Sequence, residues 1–372
     1  MSRIIITRSN PVEPDSRVEK EANSLKKAGH EVMLLVWDRE RTYSYESTIK
    51  QLSDSHVYKT SIGAKAEYGA GMKSLFPYLR FEFLLFWWLV IHRSQYDIIH
   101  LCDFDTAFFG SIAARLCKKK YVFDLFDYMS TNANTIKKKI IKKMEDRTIS
   151  KADAVIICTE QRREQIKDAH AKTITVIHNS PPQIYFDHKI CKSNSHRIKV
   201  VYVGILEERR RLKEITEVIA EMDNVEFHVG GFGQLESYFA EMEKTTKNIY
   251  YYGRIPYEDT LSLEKESDII TAVYDLSIGN SYYAAPNKFY ESLMLGKPTI
   301  MVKGSGMSQY IQEYDLGELI ECTKEGFACG LKKLIDRRDE WPEMSKRMQE
   351  LYWREFSWNE MEQRLICLYQ QL

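Results

Sequence analysis

The sequence predicts an α/β protein made of two doubly wound domains that face each other across a cleft. Three observations predict it. The chain has 372 residues, which at about 100–200 residues per domain suits two domains. Short apolar runs alternate with longer amphipathic ones, as parallel strands covered by helices require. The same grammar restarts halfway, after the pair Pro181-Pro182, which breaks helix and strand alike.

Taken in order, strands are expected at Ile4–Thr7, Glu31–Trp37, Ile98–Leu101, Tyr121–Asp124, Ala154–Cys158 and Thr173–Ile177. Between the first two, Val18, Ala22, Leu25 and Ala28 fall at helical spacing, and Gly29 suits the left-handed position just past a helix end. In the second half, strands are expected at Lys199–Val203, Val225–Val229, Ile249–Tyr252, Ile269–Ala272, Thr299–Val302 and Gly317–Ile320. Helical spacing from about Trp341 (Met344, Met348, Leu351, Tyr352) and again from Asn359 to Leu372 closes the chain. The expected division is a first domain over 1–180, a linker over 181–198 and a second domain over 199–350. A closing helical segment, 351–372, then packs back on the first domain.

Composition narrows the class. With 44% hydrophobic and 28% charged residues the chain is neither disordered nor collagen-like, and 12% aromatics suit a large core or binding surfaces. The formal net charge is zero, yet Met1–Phe186 holds 29 basic against 22 acidic side chains and Asp187–Leu372 holds 24 against 31. Much of the basic excess lies in Lys118-Lys119-Lys120 and Lys137–Lys143. It suggests an anionic partner on that side; two solvated helix faces are the alternative. The seven cysteines show neither a C-x-x-C pair nor zinc-ligand spacing, and the apolar run at the N-terminus is too short for a signal peptide. A cytoplasmic protein is expected. The nine apolar residues Phe83–Ile91 fall well short of the roughly 20 that cross a bilayer, so a buried helix is the default and an interfacial helix the alternative.

Ligands of open α/β sheets bind beyond the carboxyl ends of the strands. After Lys199–Val203 come Gly204 and, before a helix, Arg209-Arg210-Arg211; glycine admits a close backbone approach and arginines beside a helix start suit a diphosphate. After Val225–Val229 comes a glycine loop containing Gly231. In Ala285–Ile300, Pro286 suits a helix start, leaving the N–H groups of Asn287 and Lys288 for an anion, and Glu291 sits one turn in, where it can accept from two ribose hydroxyls or simply compensate the helix dipole. In the first half, Asp124 and Asp127 follow a strand and either orient a hydroxyl or cap a helix. His100 reads as a structural strand-end residue, with Asp103 and Asp105 as candidate helix caps.

The segment Ala285–Ile300 resembles the donor-site helix of the GT-B retaining glycosyltransferases of family 4, the group 1 glycosyltransferases, and the order of motifs around it does too. Asp15-Ser16-Arg17-Val18 with Leu25–Val32, Tyr96–His100, Ile177–Ser180, Tyr252-Gly253-Arg254-Ile255-Pro256 and Phe356-Ser357-Trp358 all match in sequence order. The resemblance spans essentially the whole chain and implies two Rossmann-like domains and transfer of a sugar from a UDP- or GDP-linked donor to a hydroxyl with retention of configuration. It implies no obligatory metal and no other cofactor. On this resemblance Arg210, Lys288 and Asp127 are the catalytic candidates. Gly204, Arg209, Arg211, Gly231, Arg254, Ile255, Tyr283, Pro286, Asn287 and Glu291 line the donor side, and Asp15, Arg17, His100, Asp103 and Asp124 the acceptor side.

The chain departs from the family pattern at definite places. The first of two glutamates eight residues apart is here Tyr283, an arginine after the strand-ending glycine is Ile205, and a lysine is Arg210, which can grip a diphosphate by a bidentate fork. The histidine of a D-x-H-E motif is Phe126. The expected partners are a nucleotide-sugar, a lipid-linked or growing surface glycan and an anionic membrane at the inner face of the cell, with no nucleic acid. The rivals are a nucleotide-sugar 2-epimerase of the same fold and a non-catalytic partner subunit. A dehydrogenase is disfavoured because Thr7-Arg8-Ser9-Asn10-Pro11 stands where a G-x-G-x-x-G would follow the first strand.

Overall fold

The computed structural model describes residues 1–66, 74–129, 135–182, 189–277 and 279–372. They form two compact units, one of Met1–His178 with Met361–Leu372, the other Asn179–Glu360. Of the expected linker, 183–188 lies outside the described residues.

In chain order the first unit contains β1 (Arg3–Arg8), α1 (Ser16–Lys27), β2 (Glu31–Asp38), β3 (Glu46–Gln51), β4 (His56–Gly63), α2 (Leu75–Ile91) and β5 (Ile98–Cys102). Then come α3 (Phe104–Leu116), β6 (Lys120–Leu125), α4 (Ile136–Lys151), β7 (Ala154–Ile157), α5 (Arg162–Gln165) and β8 (Ile174–Val176). The sheet runs β3-β4-β2-β1-β5-β6-β7-β8, parallel except for β3 against β4. Its order reverses between β1 and β5, so the residues after Arg8 and Cys102 stand at the switch point where such sheets bind ligands. Ile4, Ile5, Ile6, Leu35 and Val36 are wholly buried, as strands covered on both faces must be.

The second unit contains β9 (Ile198–Ile205), α6 (Leu212–Ala220), β10 (Val225–Phe232), α7 (Glu236–Thr245), β11 (Ile249–Tyr251), α8 (Tyr257–Glu266) and β12 (Ile269–Ala272). It continues with α9 (Asn287–Leu295), β13 (Thr299–Val302), α10 (Ser308–Tyr314), β14 (Gly317–Ile320), α11 (Lys324–Asp336) and α12 (Trp341–Leu351). The closing helix α13 spans Trp358–Gln370. The all-parallel sheet runs β11-β10-β9-β12-β13-β14, with its switch point between β9 and β12.

Three expectations need correction. The pair β3–β4 was not anticipated: β3 reads Glu46-Ser47-Thr48-Ile49-Lys50-Gln51 and is almost wholly exposed, because an edge strand satisfies its backbone on one side and needs no apolar alternation. The glycines after the strands of the second unit are not loops, since β9 runs through Gly204 and β10 through Gly231. These two pair with each other, and a Cβ on Gly231 would fall 1.8 Å from the Gly204 carbonyl oxygen. The apolar run Phe83–Ile91 belongs to α2, which is buried on one side only. Phe81, Leu85 and Leu89 are in the core, with Phe81 stacked on Trp37 at 4.8 Å, whereas Phe76, Leu79, Phe83, Trp87 and Ile91 are exposed along the opposite stripe.

Candidate active site

In the second unit, β9 ends at Ile205 and its loop leads through Arg209, Arg210 and Arg211 to α6. The three arginines differ in what they touch. Arg209 is exposed and paired with Glu207. Arg211, at φ +53°, reaches Glu214 at 2.9 Å and Asp275 at 3.3 Å. Arg210 lies 3.9 Å over the ring of Tyr274, just beyond β12, and among the described residues no carboxylate pairs with it and its buried Nε has no partner. A guanidinium stacked on an aromatic face keeps its charge and most of its donors available.

Lys288 comes to the same place from α9. Its Nζ stands 4.5 Å over the Tyr202 ring and 2.9 Å from where a Cβ on Gly204 would be. Burial works against its charge, but Tyr202, Tyr274, Glu291 and Glu264 outweigh it and hold the ammonium above its ordinary value. Pro286 is the N-cap of α9 and offers no side-chain cap, so the first-turn N–H groups of Asn287 and Lys288 form no bond among the described residues. Glu291, one turn in and 3% exposed, accepts a 2.9 Å hydrogen bond from the Tyr257 hydroxyl of α8.

Arg210, Lys288, Gly204, Pro286, Asn287 and Glu291 therefore belong to the switch-point end of this sheet and the adjoining α9. The remaining candidates have contacts of their own. Arg254 is exposed and stacks 4.7 Å over Phe232, Ile255 packs against Gly230, and Tyr283 is half-buried with its ring edge-on to Tyr282 at 4.9 Å. Tyr202, Tyr274, Tyr257 and Glu264 were missed by the sequence reading. Tyr274 follows a strand by two residues and was open to the strand-end rule; the others required helix packing to be known.

In the first unit, Arg17 of α1 is buried and bonds Asp124, at the end of β6, at 2.8 Å. Burial opposes both charges. Asp124 and Glu21 nevertheless hold the guanidinium above its ordinary value, and Arg17 and His100 hold the Asp124 carboxyl below its own. His100, wholly buried, meets the Tyr369 hydroxyl at 2.7 Å and Asp124 at 3.4 Å. Asp15 caps α1, accepting from the Val18 N–H at 3.3 Å and from Arg8 at 2.9 Å. Asp103 does not cap α3 through its side chain. It pairs with Arg8 and accepts from the Phe126 and Asp127 N–H groups at 3.0 and 3.1 Å. Arg8 and Arg17 both lie over the Phe126 ring, at 4.2 and 4.7 Å. Asp127 is 71% exposed and paired with buried Arg162 at 3.1 Å.

Neither Asp124 nor Asp127 caps α4, whose cap is Thr135; of the two readings, the capping one is excluded. Arg8 is the residue missed in sequence, because its partners Asp103 and Phe126 come to it only in the fold. His100, Cys102 and Asp124 offer ligand-type atoms within 4.8 Å of one another. Asp124, however, already faces the Arg17 cation, and burial pushes the Cys102 thiol well above its ordinary value. The donor set suits a hydrogen-bonded guanidinium better than a metal ion.

The comparisons agree with this architecture. A family model described as Glycosyltransferase Family 4 matches residues 16–180, and one described as Glycosyl transferases group 1 matches residues 184–351. No curated protein sequence matches. Among solved structures, sucrose-phosphate synthase from Thermosynechococcus elongatus superposes with a TM-score of 0.78 at 14% identity, covering 100% of this chain and 99% of that one. HepE from Anabaena, solved with UDP-glucose, gives 0.74 at 12% identity, covering 100% of both chains. An α,α-trehalose 6-phosphate synthase from Burkholderia multivorans gives 0.71 at 12%, covering 100% and 97%. With both halves matched in order and the two parallel-sheet units in place, the chain belongs to the group 1 glycosyltransferases of GT-B fold.

Proposed function

We propose that this glycosyltransferase moves a hexosyl group from a UDP- or GDP-linked donor to a hydroxyl of a lipid-linked or growing surface glycan, with retention of configuration and without an obligatory metal. One observation carries the reading: Arg210, stacked on Tyr274 and without a carboxylate partner among the described residues, stands with Lys288 and the open N–H groups of α9 at the switch point of the second sheet. The leaving diphosphate gathers negative charge in the transition state. Donors already fixed there stabilise that charge without reorganising. Glu291, held by Tyr257, is the acceptor for the ribose diol. In the first unit, Arg8 and Asp103 offer the polar surface for the sugar acceptor, backed by the buried Arg17–Asp124 pair, with His100 and Tyr369 behind Asp124. In retention of this kind the donor diphosphate takes the acceptor proton, so Asp127, tied to Arg162, has an orienting role.

The test is incubation with UDP- and GDP-sugars, with and without a chelator, in the presence of membrane-extracted lipid-linked glycans. Nucleotide release that needs acceptor, survives the chelator and yields a product of unchanged anomeric configuration supports the reading. A 2-epimeric sugar nucleotide without transfer would favour the epimerase, and absence of turnover with nucleotide still bound would favour the partner subunit.

The same reading places the enzyme at the inner face of the cell membrane, on an anionic surface. Supporting it, the outward stripe of α2 exposes Phe76 (78%), Leu79, Phe83, Trp87 and Ile91 (68%), and α4 exposes Ile136, Ile140 and Lys137, Lys138, Lys139 and Lys143. Ile141 and Met144 instead pack on the core, and Lys142 is engaged with Asp146 at 2.6 Å. Among the described residues no helix is long and apolar enough to cross a membrane. Aromatic and aliphatic anchors beside lysines suit interfacial binding, each nearby lysine adding about 1 kcal/mol on anionic lipid. Vesicles containing phosphatidylglycerol should therefore pellet the protein, less so in high salt. Phe83→Ser with Trp87→Ser, or Lys137, Lys138 and Lys143 changed to Glu, should abolish pelleting. Equal pelleting with neutral vesicles, or none, would refute it.

A further inference from the structure

Glu264 lies on α8, wholly buried, and neither of its carboxyl oxygens meets a hydrogen-bond donor among the described residues. An ionised carboxylate left so would carry a heavy desolvation cost. The face of α8 that carries Glu264 packs on the adjoining helix α9 where Tyr257 bonds Glu291, and the Glu291 carboxyl is the foremost charge acting on Glu264. Two facing carboxyls bond only through a shared proton. Tyr257, two turns before Glu264 on α8, donates its hydroxyl to Glu291 at 2.9 Å. One face of α8 thus presents two groups to the same side chain.

We propose that Glu264 is the positioning residue of Glu291: as a neutral acid it donates its O–H to the Glu291 carboxylate and, with the Tyr257 hydroxyl, aims that carboxylate at the ribose diol of the donor nucleotide. This rests on the reading of Glu291 as the ribose acceptor. The charges around the pair agree. Burial, then Glu291, pushes the Glu264 acid well above the ordinary carboxyl range, with Lys288 opposing. Burial together with Glu291 and Glu264 also drives the Tyr257 hydroxyl up, so it stays a donor. The titratable groups facing the pair are Tyr257 from α8, Lys288 from α9 and Tyr352 from the segment after α12, with Tyr202 and Tyr274 beyond Lys288. Lys288 supplies one positive charge between two carboxyls, and the retained proton supplies the other neutralisation.

The test uses the full chain, with UDP and GDP as calorimetric probes. Glu264→Gln keeps an N–H donor and should bind the preferred nucleotide within about 3-fold of the wild type, whereas Glu264→Leu should bind it about 10-fold more weakly, as loss of one hydrogen bond to a charged group requires. Turnover at saturating donor should change less than the affinity. Raising the pH until the pair loses its shared proton should weaken binding to the wild type and leave Glu264→Gln unaffected. Independently of any ligand, the infrared difference between wild type and Glu264→Gln at neutral pH should contain the carbonyl stretch of a protonated carboxylic acid. Absence of that band overturns the proposal even if Glu264→Leu fails to fold, and so does wild-type affinity in Glu264→Leu. If Glu291→Gln binds as tightly as the wild type, the ribose reading fails while the band still reports the shared proton. If neither UDP nor GDP binds the wild type, both fall.

Discussion

Three adjacent arginines of one loop have different chemical standing. Arg209 and Arg211 spend their charge on Glu207, Glu214 and Asp275, while Arg210 rests on an aromatic ring. An exposed ion pair contributes about 0–1 kcal/mol, so removing Arg209 costs little. Removing a preorganised donor to a developing oxyanion costs about 100-fold or more in kcat. Arg210→Ala should therefore lower kcat by about 100-fold, with Arg209→Ala and Arg211→Ala within about 10-fold of the wild type. Steady-state rates for the three variants check this, and equal losses in all three would mean the loop acts only as a structural unit. Phe126 shows the same logic in the first unit, since its ring receives both Arg8 and Arg17 where the family motif has a histidine.

Helix ends show how one backbone motif is filled by different residues. At the end of α3, the Lys118 N–H bonds the Arg115 carbonyl at 3.2 Å and the Lys119 N–H the Ala114 carbonyl at 2.8 Å. Lys118 is exposed and sits at φ +55°. At the end of α9 the same bonds run from Gly296 to Leu293 and from Lys297 to Ser292, with Gly296 at φ +65°. Left-handed backbone costs a non-glycine residue about 1 kcal/mol. Lys118→Gly should stabilise the protein by roughly that amount. Gly296→Ala should destabilise it by more, because its Cβ would also fall 2.1 Å from the Ser345 hydroxyl oxygen. Thermal or denaturant unfolding of the two variants measures both signs.

At the scale of the molecule, both units bury carboxyls that act on one another beside a buried cation: Glu21 with Asp124 near Arg17, and Glu264 with Glu291 near Lys288. Each also buries a neutral histidine. Burial, then Arg364, pushes His178 down to about 3; burial, against Glu226, pushes His228 down to about 4. The unfolded chain takes up protons at these histidines below about pH 6.5 while the folded chain does not. Their contribution is complete above that pH and is lost as the pH falls, by up to about 1.4 kcal/mol per pH unit for each. Glu21, Glu82 and Glu264, held protonated by burial, act in the opposite direction, because the unfolded chain ionises them above about pH 4.5. The comparison must therefore be with a variant: between pH 7 and 5, the Tm of His228→Gln should fall less than that of the wild type. Parallel curves would show that His228 takes up its proton in the fold as it does in the unfolded chain.

By itself the sequence determined the repeated strand–helix order, the family and the switch-point segments, because apolar periodicity, caps and strand-end motifs are local. It placed β12, β13 and β14 at their observed bounds and picked out Arg210, Lys288 and Glu291. Tertiary structure decided what depends on neighbours distant in the chain. Polar β3 is a strand because β4 pairs with it, and the glycines of β9 and β10 face each other rather than a loop. Helix α2, apolar in sequence except for Arg80 and Glu82, is buried on only one side because a helix rotates its side chains past a single packing surface. Tyr257 meets Glu291 34 residues away and Arg8 meets Asp103 95 residues away, and Glu264 faces Glu291 from a separate helix. Charge pairing and burial are properties of three-dimensional proximity, which no spacing along one chain encodes.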